Sequence, residues 1–225
     1  MSTRSVEYRE AVDHLPNGAS LVFHDVSWED YERLVEEDLA DRPGLRVTYD
    51  EGRLEIMSPL PEHEEYKEFI SPMVYLLGDE LDINVEPRGS ATWKRKRLRK
   101  GTEPDTCFYV AAHADAIIGK RKIDLDVEPP PDIAVEIDTT RESLIKFPVY
   151  AALRVPEIWH YNSRRTSAVI YDLHNESYVE IPASRFFPIL TGSVLADFIE
   201  QSKTQGQRAA LSAFRKWIKQ TQKKA

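Results

Sequence analysis

The chain has 225 residues, 41% of them hydrophobic and 30% charged, which suits a folded domain with one sizeable core and excludes a disordered segment. A net charge of −8 argues against a general polyanion binder, and the single cysteine, Cys107, excludes an internal disulfide and a cysteine-rich zinc set. No apolar run is long enough to span a bilayer, and the polar start Met1-Ser2-Thr3-Arg4-Ser5 lacks a signal-peptide core, so the reading is a cytoplasmic protein with no membrane partner.

Residues 1–26 carry one turn signal, Pro16-Asn17-Gly18, and read as a loosely attached N-terminal arm. Ser27 is a good N-cap with Asp30 three residues on, and Trp28, Tyr31, Leu34, Val35 and Leu39 line one apolar helix face. Pro43-Gly44 ends that connection. Leu45 to Ser58 then reads as a hairpin. Leu45, Val47 and Tyr49 alternate with polar residues, Asp50-Glu51-Gly52 turns the chain, and Leu54 and Ile56 alternate again. Glu62 to Leu81 keeps the helical period through Tyr66, Phe69, Ile70, Met73, Val74 and Leu77. Pro72 lies off that stripe and should bend the helix. His63 stands one turn before Tyr66 and Lys67, where it either faces the sheet or serves as an ordinary structural or capping histidine.

An extended segment from Ile83 to Trp93 leads into Lys94-Arg95-Lys96-Arg97-Leu98-Arg99-Lys100. This run reads either as a solvated hairpin tip or as a nucleic-acid surface, because local patches decide whether a polyanion docks. Strand alternation would put Arg95, Arg97 and Arg99 on one face, and Lys94, Lys96 and Lys100 on the other. Two short apolar, β-rich runs follow. Asp105 opens Thr106-Cys107-Phe108-Tyr109-Val110, and Glu136 closes Ile133-Ala134-Val135 and precedes Ile137-Asp138. Between them, His113 to Glu128 is polar and irregular, a surface excursion. Thr139 or Thr140 caps a helix from Arg141 to Leu153, on which Lys146 and Tyr150 share a face.

Glu157-Ile158-Trp159-His160-Tyr161 begins a β-meander that continues through Ala168–Leu173 and Tyr178–Ile181. A short helix covers Val194 to Glu200. From 201 to 225 the chain is basic, with an amphipathic helix from Arg208 to Thr221 whose apolar side holds Leu211, Phe214, Trp217 and Ile218. That side packs on the domain or on a second copy in a homodimer; nucleic acid is the alternative partner for the basic side. No linker divides residues 27–200.

If the two acidic runs are neighbours in one sheet, the carboxylates of Asp105 and Glu136 meet at one end. Two acids suit a hard divalent cation, and a lysine beside them suits developing negative charge, the equipment of metal-assisted phosphodiester hydrolysis. Asp105, Glu136 and the carbonyl of Ile137 would take Mg²⁺ or Mn²⁺, with water completing the set. Lys146 would orient the attacking water or steady charge at phosphorus. Asp138 shares a side of its strand with Glu136 and either joins the cluster or anchors Lys146. The plain alternative is a set of sheet-edge acids paired with lysine and arginine. No phosphate-binding glycine loop or Gly-x-Ser-x-Gly elbow is present.

Glu103-Pro104-Asp105-Thr106-Cys107-Phe108-Tyr109, Pro130-Pro131-Asp132-Ile133-Ala134-Val135-Glu136-Ile137-Asp138, Phe147-Pro148-Val149-Tyr150-Ala151-Ala152-Leu153 and Val155-Pro156-Glu157-Ile158-Trp159 together resemble the Uma2 family, a branch of the PD-(D/E)XK nuclease-like proteins. The resemblance runs from about Trp28 to Phe198. It implies an α/β fold like that of restriction endonucleases, a mixed central sheet flanked by helices, and a magnesium-dependent endonuclease acting on DNA. It also implies a histidine at His63 beside the acids. The superfamily's acid-x-lysine would put a lysine where this chain has Asp138; the Uma2-like pattern carries the lysine on the next helix, at Lys146. The rival expectation is a nuclease-fold module that binds nucleic acid or protein without turnover.

Overall fold

The structure, a computed structural model, describes residues 3–40, 42, 44–139 and 143–223. It opens with α1 (Thr3–Asp13), β1 (Ser20–Phe23) and α2 (Trp28–Arg33), the last continued by a wide turn to Asp38. The predicted hairpin follows as β2 (Arg46–Asp50) and β3 (Arg53–Met57). Its two-residue turn needs positive φ at both positions, supplied by Glu51 (48°) and Gly52 (106°). Then come α3 (Pro61–Leu81), β4 (Val85–Pro87), β5 (Trp93–Arg95), β6 (Lys100–Thr102), β7 (Thr106–Val110) and α4 (Ala112–Ile117). The chain ends through β8 (Ile133–Asp138), α5 (Phe147–Leu153), β9 (Glu157–Asn162), β10 (Ser167–His174), β11 (Ser177–Ile181), α6 (Gly192–Gln205) and α7 (Gln207–Gln222).

The strands form two sheets, where one was expected. A mixed six-stranded sheet has the order β11-β10-β9-β8-β7-β4, with β8 and β9 parallel and the other pairs antiparallel. A five-stranded antiparallel sheet has the order β1-β3-β2-β6-β5. Side-chain alternation sends the two faces of the mixed sheet into different cores. Val135, Ile137, Trp159 and Tyr161 pack with α3, α6 and α7; Ala134, Ile158, Cys107 and Tyr109 pack with Val149, Tyr150 and Leu153 of α5. The architecture is thus α/β, a mixed central sheet flanked by helices, with the second sheet laid against one end.

Several local expectations change. The described part of the expected N-terminal arm is not loose: β1 is an edge strand on β3, and Tyr8 and Val12 are buried with Val26 and Trp28. The expected irregular excursion contains α4, which buries Ala114 and Ile117. The basic C-terminal helix is also integral. Phe214 and Ile218 join the core with α3, while Arg215 pairs with Asp79 and Glu80, and Lys219 with Glu80. Packing on the domain therefore accounts for its apolar face. Capping by Thr140, a helix start at Arg141 and the stop at Pro43 fall outside the described residues. No described helix is long and apolar enough to cross a membrane.

Candidate active site

The two acidic strands are neighbours, and their antiparallel register places Thr106 opposite Val135. Asp105, one residue before β7, therefore lies beside the C-terminal half of β8, where Glu136 projects. The Asp105 amide donates to the Val135 carbonyl at 3.1 Å. Its Oδ2 accepts the Ile137 amide at 2.8 Å, beyond the last ladder pair. N–H and C=O of one strand residue point to the same edge, so the Ile137 carbonyl shares the edge that carries Asp105. Asp105 and Glu136 are each 1% exposed.

Lys146 reaches the same site from the start of α5. It ends a single helical turn, Ser143–Lys146, and stands at the N-cap of α5. Pro148 occupies the first turn of α5, where a missing N–H costs nothing. This start fixes the lysine's position. Its Nζ donates to Glu136 Oε2 at 2.9 Å and Oε1 at 3.1 Å, and to the Glu103 carbonyl at 3.3 Å. Tyr150, one turn on, donates its hydroxyl to Glu136 Oε1. The shared face of Lys146 and Tyr150 is thus spent on one carboxylate.

The remaining wall comes from α3 and β2. His63 Nδ1 lies 3.6 Å from Asp105 Oδ1, and its Nε2 is hydrogen-bonded to Thr139 Oγ1 at 2.7 Å. Arg46 Nε lies 3.7 Å from the same Asp105 oxygen, and Arg46 Nη2 donates to Glu64 Oε1 at 3.1 Å. Glu64 also pairs with Lys67 at the rim. Asp105 Oδ1 and His63 Nδ1 are buried and have no hydrogen-bond partner among the described residues.

Burial and charge oppose one another here. Burial pushes the Asp105 carboxyl up, but His63, Lys146 and Arg46 more than offset it and hold its pKa below the ordinary value. Glu136 goes the other way: burial raises it, the Asp105 charge adds to that, and Lys146 and Tyr150 only partly compensate. Burial would lower the Lys146 ammonium, yet Glu136 and Asp105 hold it above its usual value. Lys146 is therefore a retained cation between two carboxylates of opposite tendency.

A family model described as "Putative restriction endonuclease", Uma2, matches residues 28–200. The chain belongs to the Uma2 family. The fold is also similar to a crystal structure titled as "a putative nuclease belonging to DUF820" from Anabaena variabilis. That likeness has 13% identity and a TM-score of 0.50, covering 83% of this chain and 99% of the other. No curated protein matches the sequence.

In this Uma2 member, two groups of expected site residues stand elsewhere. Asp138 shares the Glu136 face, as alternation requires, but its Oδ2 lies 2.6 Å from His160 Nε2. It neither anchors Lys146 nor meets Asp105 in any described contact. The parallel register explains this: His160 pairs with Glu136 and Asn162 with Asp138, so histidine and aspartate are diagonal neighbours on one face. The expected arginine face does not form either. Lys96–Leu98 is a tight helical turn that breaks the alternation. Arg95 donates to the Leu125 carbonyl, Arg97 to Asp126 and Arg99 to the Tyr49 hydroxyl. The lysines are matched as well, Lys94 to Glu32 and Glu36, Lys96 to Glu29 and Lys100 to Asp50.

Arg46 and Glu103 received no role from sequence. Arg46 occupies a polar slot of an alternating hairpin strand, which signals solvent, yet it is 2% exposed because that face of β2 closes over the site. Glu103 sits beside Pro104-Asp105. Its carboxylate accepts from the Val47 amide at 2.9 Å and from the Thr92 hydroxyl. Burial raises its pKa, while those two donors, Arg46 and Lys146 work against the rise. Its nearness to the motif was its only signal.

Proposed function

We propose that this chain is an endonuclease that hydrolyses DNA phosphodiester bonds with a divalent cation. The observation that carries the reading is the contact of Lys146 Nζ with both Glu136 oxygens in a buried site shared with Asp105. Membership of the Uma2 family, described as "Putative restriction endonuclease", supports the same reading.

Mg²⁺ or Mn²⁺ fits the donor chemistry. Every candidate ligand is a hard oxygen, and Asp105 Oδ1 is a buried acceptor with no hydrogen-bond partner among the described residues. Asp105, Glu136 and the Ile137 carbonyl would hold the ion, which when bound would supply an activated water and neutralise phosphate charge. Among the described residues no group of three or more His, Cys, Asp or Glu is placed to do so alone, so water and substrate oxygens would complete the set.

The chain's own residues have separable tasks. Lys146 retains its proton and offers it to the charge that grows on phosphorus-bound oxygen. Tyr150 holds Glu136 in place. His63, fixed by Thr139, and Arg46, tied to Glu64, set the charge around Asp105. A cleavage assay on supercoiled and single-stranded DNA with Mg²⁺, Mn²⁺ and chelator tests the reading. Chelator-sensitive nicking that disappears in Asp105→Ala is expected; nicking retained in that variant would remove the mechanism.

One observation favours a second reading, a nuclease-fold binding module without turnover: the acids and Lys146 are closed off, with Lys146 7% exposed. DNA binding without cleavage under every metal condition would select it.

A further inference from the structure

β11 is the outermost strand of the mixed sheet, and among the described residues no strand pairs with its far edge. The register says which backbone groups that edge presents. The Leu173 amide donates to the Pro156 carbonyl, toward β9, so the odd-numbered residues of β10 serve β9 and the even-numbered ones serve β11. Ile170, Asp172 and His174 lie opposite Ile181, Val179 and Ser177. Those three residues of β11 are therefore committed inward, and the N–H and C=O groups of Tyr178 and Glu180 point outward. Such an edge is a template for another strand unless something blunts it. The other sheet edges are shorter or blunted. β4 has three residues and ends in Pro87, β5 has three with Lys94 and Arg95, and β1 has four. β11 has five, with no proline, lysine or arginine.

The edge is complementary to itself, in one register. A second β11 laid antiparallel, with Val179 opposite its own copy, sets Tyr178 opposite Glu180 on both sides of the axis. Each Tyr178–Glu180 pair then exchanges both its hydrogen bonds, and no outward group is left over. The neighbouring registers oppose like charges, which destabilises a strand pair. Centring on Glu180 would face two carboxylates and set Tyr178 against Pro182, which has no N–H; centring on Tyr178 would set Glu180 against Glu176. Side chains lie closest in the pair that makes no hydrogen bonds, and Val179 occupies that place on the axis. It is 41% exposed, on the strand face it shares with Ile181. The opposite face is already braced, with the Tyr178 ring 5.3 Å from that of Phe147 and its hydroxyl donating to the Val155 carbonyl at 2.6 Å. The strand therefore needs no reordering to pair. We infer that β11 joins a second copy of this chain across a two-fold axis at Val179, so that the mixed sheets of both copies run on as one. Such a contact uses the same patch twice, as closed dimers do. It does not depend on the nuclease reading.

The test is sedimentation velocity over a micromolar-to-millimolar series, with site-directed crosslinking. Glu180→Pro removes an outward N–H and leaves the ladder to β10 intact, as proline on an edge strand can. Val179→Lys puts two ammonium groups on the axis. Each should weaken the dimer tenfold or more while the circular dichroism of the monomer stays unchanged. In Val179→Cys the two Cα atoms come to about 4.5 Å, within disulfide reach, so mild oxidation should crosslink the chains. Ser177→Cys meets Ile181 of the other copy instead and should not crosslink. Cys107 is buried, its thiol pushed up to about 12, and stays out of the reaction. A wild type that remains monomeric throughout the series would leave the edge to some other occupant and overturn the inference. So would a dimer that either Glu180→Pro or Val179→Lys leaves unchanged, or crosslinking of Ser177→Cys as readily as of Val179→Cys.

Discussion

The acid–lysine site and the basic hairpin at 94–100 are the two places where this chain concentrates charge, and they solve the problem oppositely. The site gathers few charges from distant elements, buries them, and leaves them incompletely matched. Glu136 has Lys146 and Tyr150, but one oxygen of Asp105 keeps no hydrogen bond among the described residues. The hairpin holds many charges in one stretch, and a nearby acid or oxygen meets each of them. Exposed pairs of that kind contribute little, whereas buried ones respond strongly to any change. Charge density along the sequence is therefore a poor guide to where this molecule stores electrostatic work.

The largest expected effect tests the site directly. Asp105→Ala and Glu136→Ala should each lower metal-dependent cleavage by about a thousandfold or more, as loss of a preorganised charge does. They should differ in stability. Glu136→Ala strands a buried ammonium and should cost about 3–5 kcal/mol. Asp105→Ala removes the acceptor of the Ile137 amide and a counter-charge of Arg46 but leaves Lys146 its Glu136 partner, and should cost less. Urea denaturation gives the ranking; equal losses would mean that Lys146 does not depend on Glu136 for its burial.

The next effect concerns Lys146 alone. Lys146→Met should reduce turnover about a hundredfold, while the double change Lys146→Met with Glu136→Gln should recover part of the stability lost in the single variant, because the charges vanish together. Thermal melts of the four proteins complete the cycle. A double variant no more stable than the worse single would show that the pair is uncoupled.

A smaller effect asks whether burial alone produces this sensitivity. Glu157 is fully buried at the opposite end of the sheet and has no cation partner among the described residues. It accepts from Ser184 Oγ at 2.6 Å, Trp159 Nε1 at 2.5 Å and the Arg185 amide at 2.8 Å. Burial raises its pKa against those donors. A carboxyl raised on folding contributes its stability below the unfolded value, near 4.3, and loses it as pH rises through the folded value. Relative to Glu157→Gln, the wild type should therefore lose stability as pH climbs above about 4. Urea midpoints across pH measure this; a flat difference would mean that folding does not shift the Glu157 pKa.

Sequence revealed the skeleton of the site because its parts obey local rules. Asp105 and Glu136 sit on short β-rich runs, and Lys146 and Tyr150 are one helical turn apart. Pairing of neighbouring strands then brings the acids to one end. What stayed hidden depends on tertiary register. Nothing local shows that His160 would stand beside Glu136 and take Asp138. Nor does the alternation of Leu45, Val47 and Tyr49 reveal that Arg46 faces a second sheet's buried side. The mixed sheet was legible; the second sheet was not, because β5 and β6 have three residues each and lie inside a charge run that reads as solvated.

The smallest expected effect belongs to the hairpin. Three arginines on one strand face would each release counterions on phosphate contact, and removing them would lower the salt slope by roughly 0.9 per contact. The structure leaves far less available. The Arg95 side chain is 12% exposed and ties down the loop at Leu125, and Arg99 holds the Tyr49 hydroxyl. The tip is open, with the Lys96 side chain 63% and the Arg97 side chain 67% exposed, and Arg99 is exposed as well but tied to Tyr49. Lys96 and Arg97 both face acids, so a phosphate must displace Glu29 or Asp126 before it gains anything. Lys96→Ala with Arg97→Ala should therefore change DNA affinity by no more than about threefold and the salt slope by less than one contact's share. Arg95→Ala should instead lower the melting temperature by releasing its loop. A tip variant that lost most of the salt dependence would show that these residues leave their acids to grip phosphate, and the contrast between a matched hairpin and an unmatched site would fail.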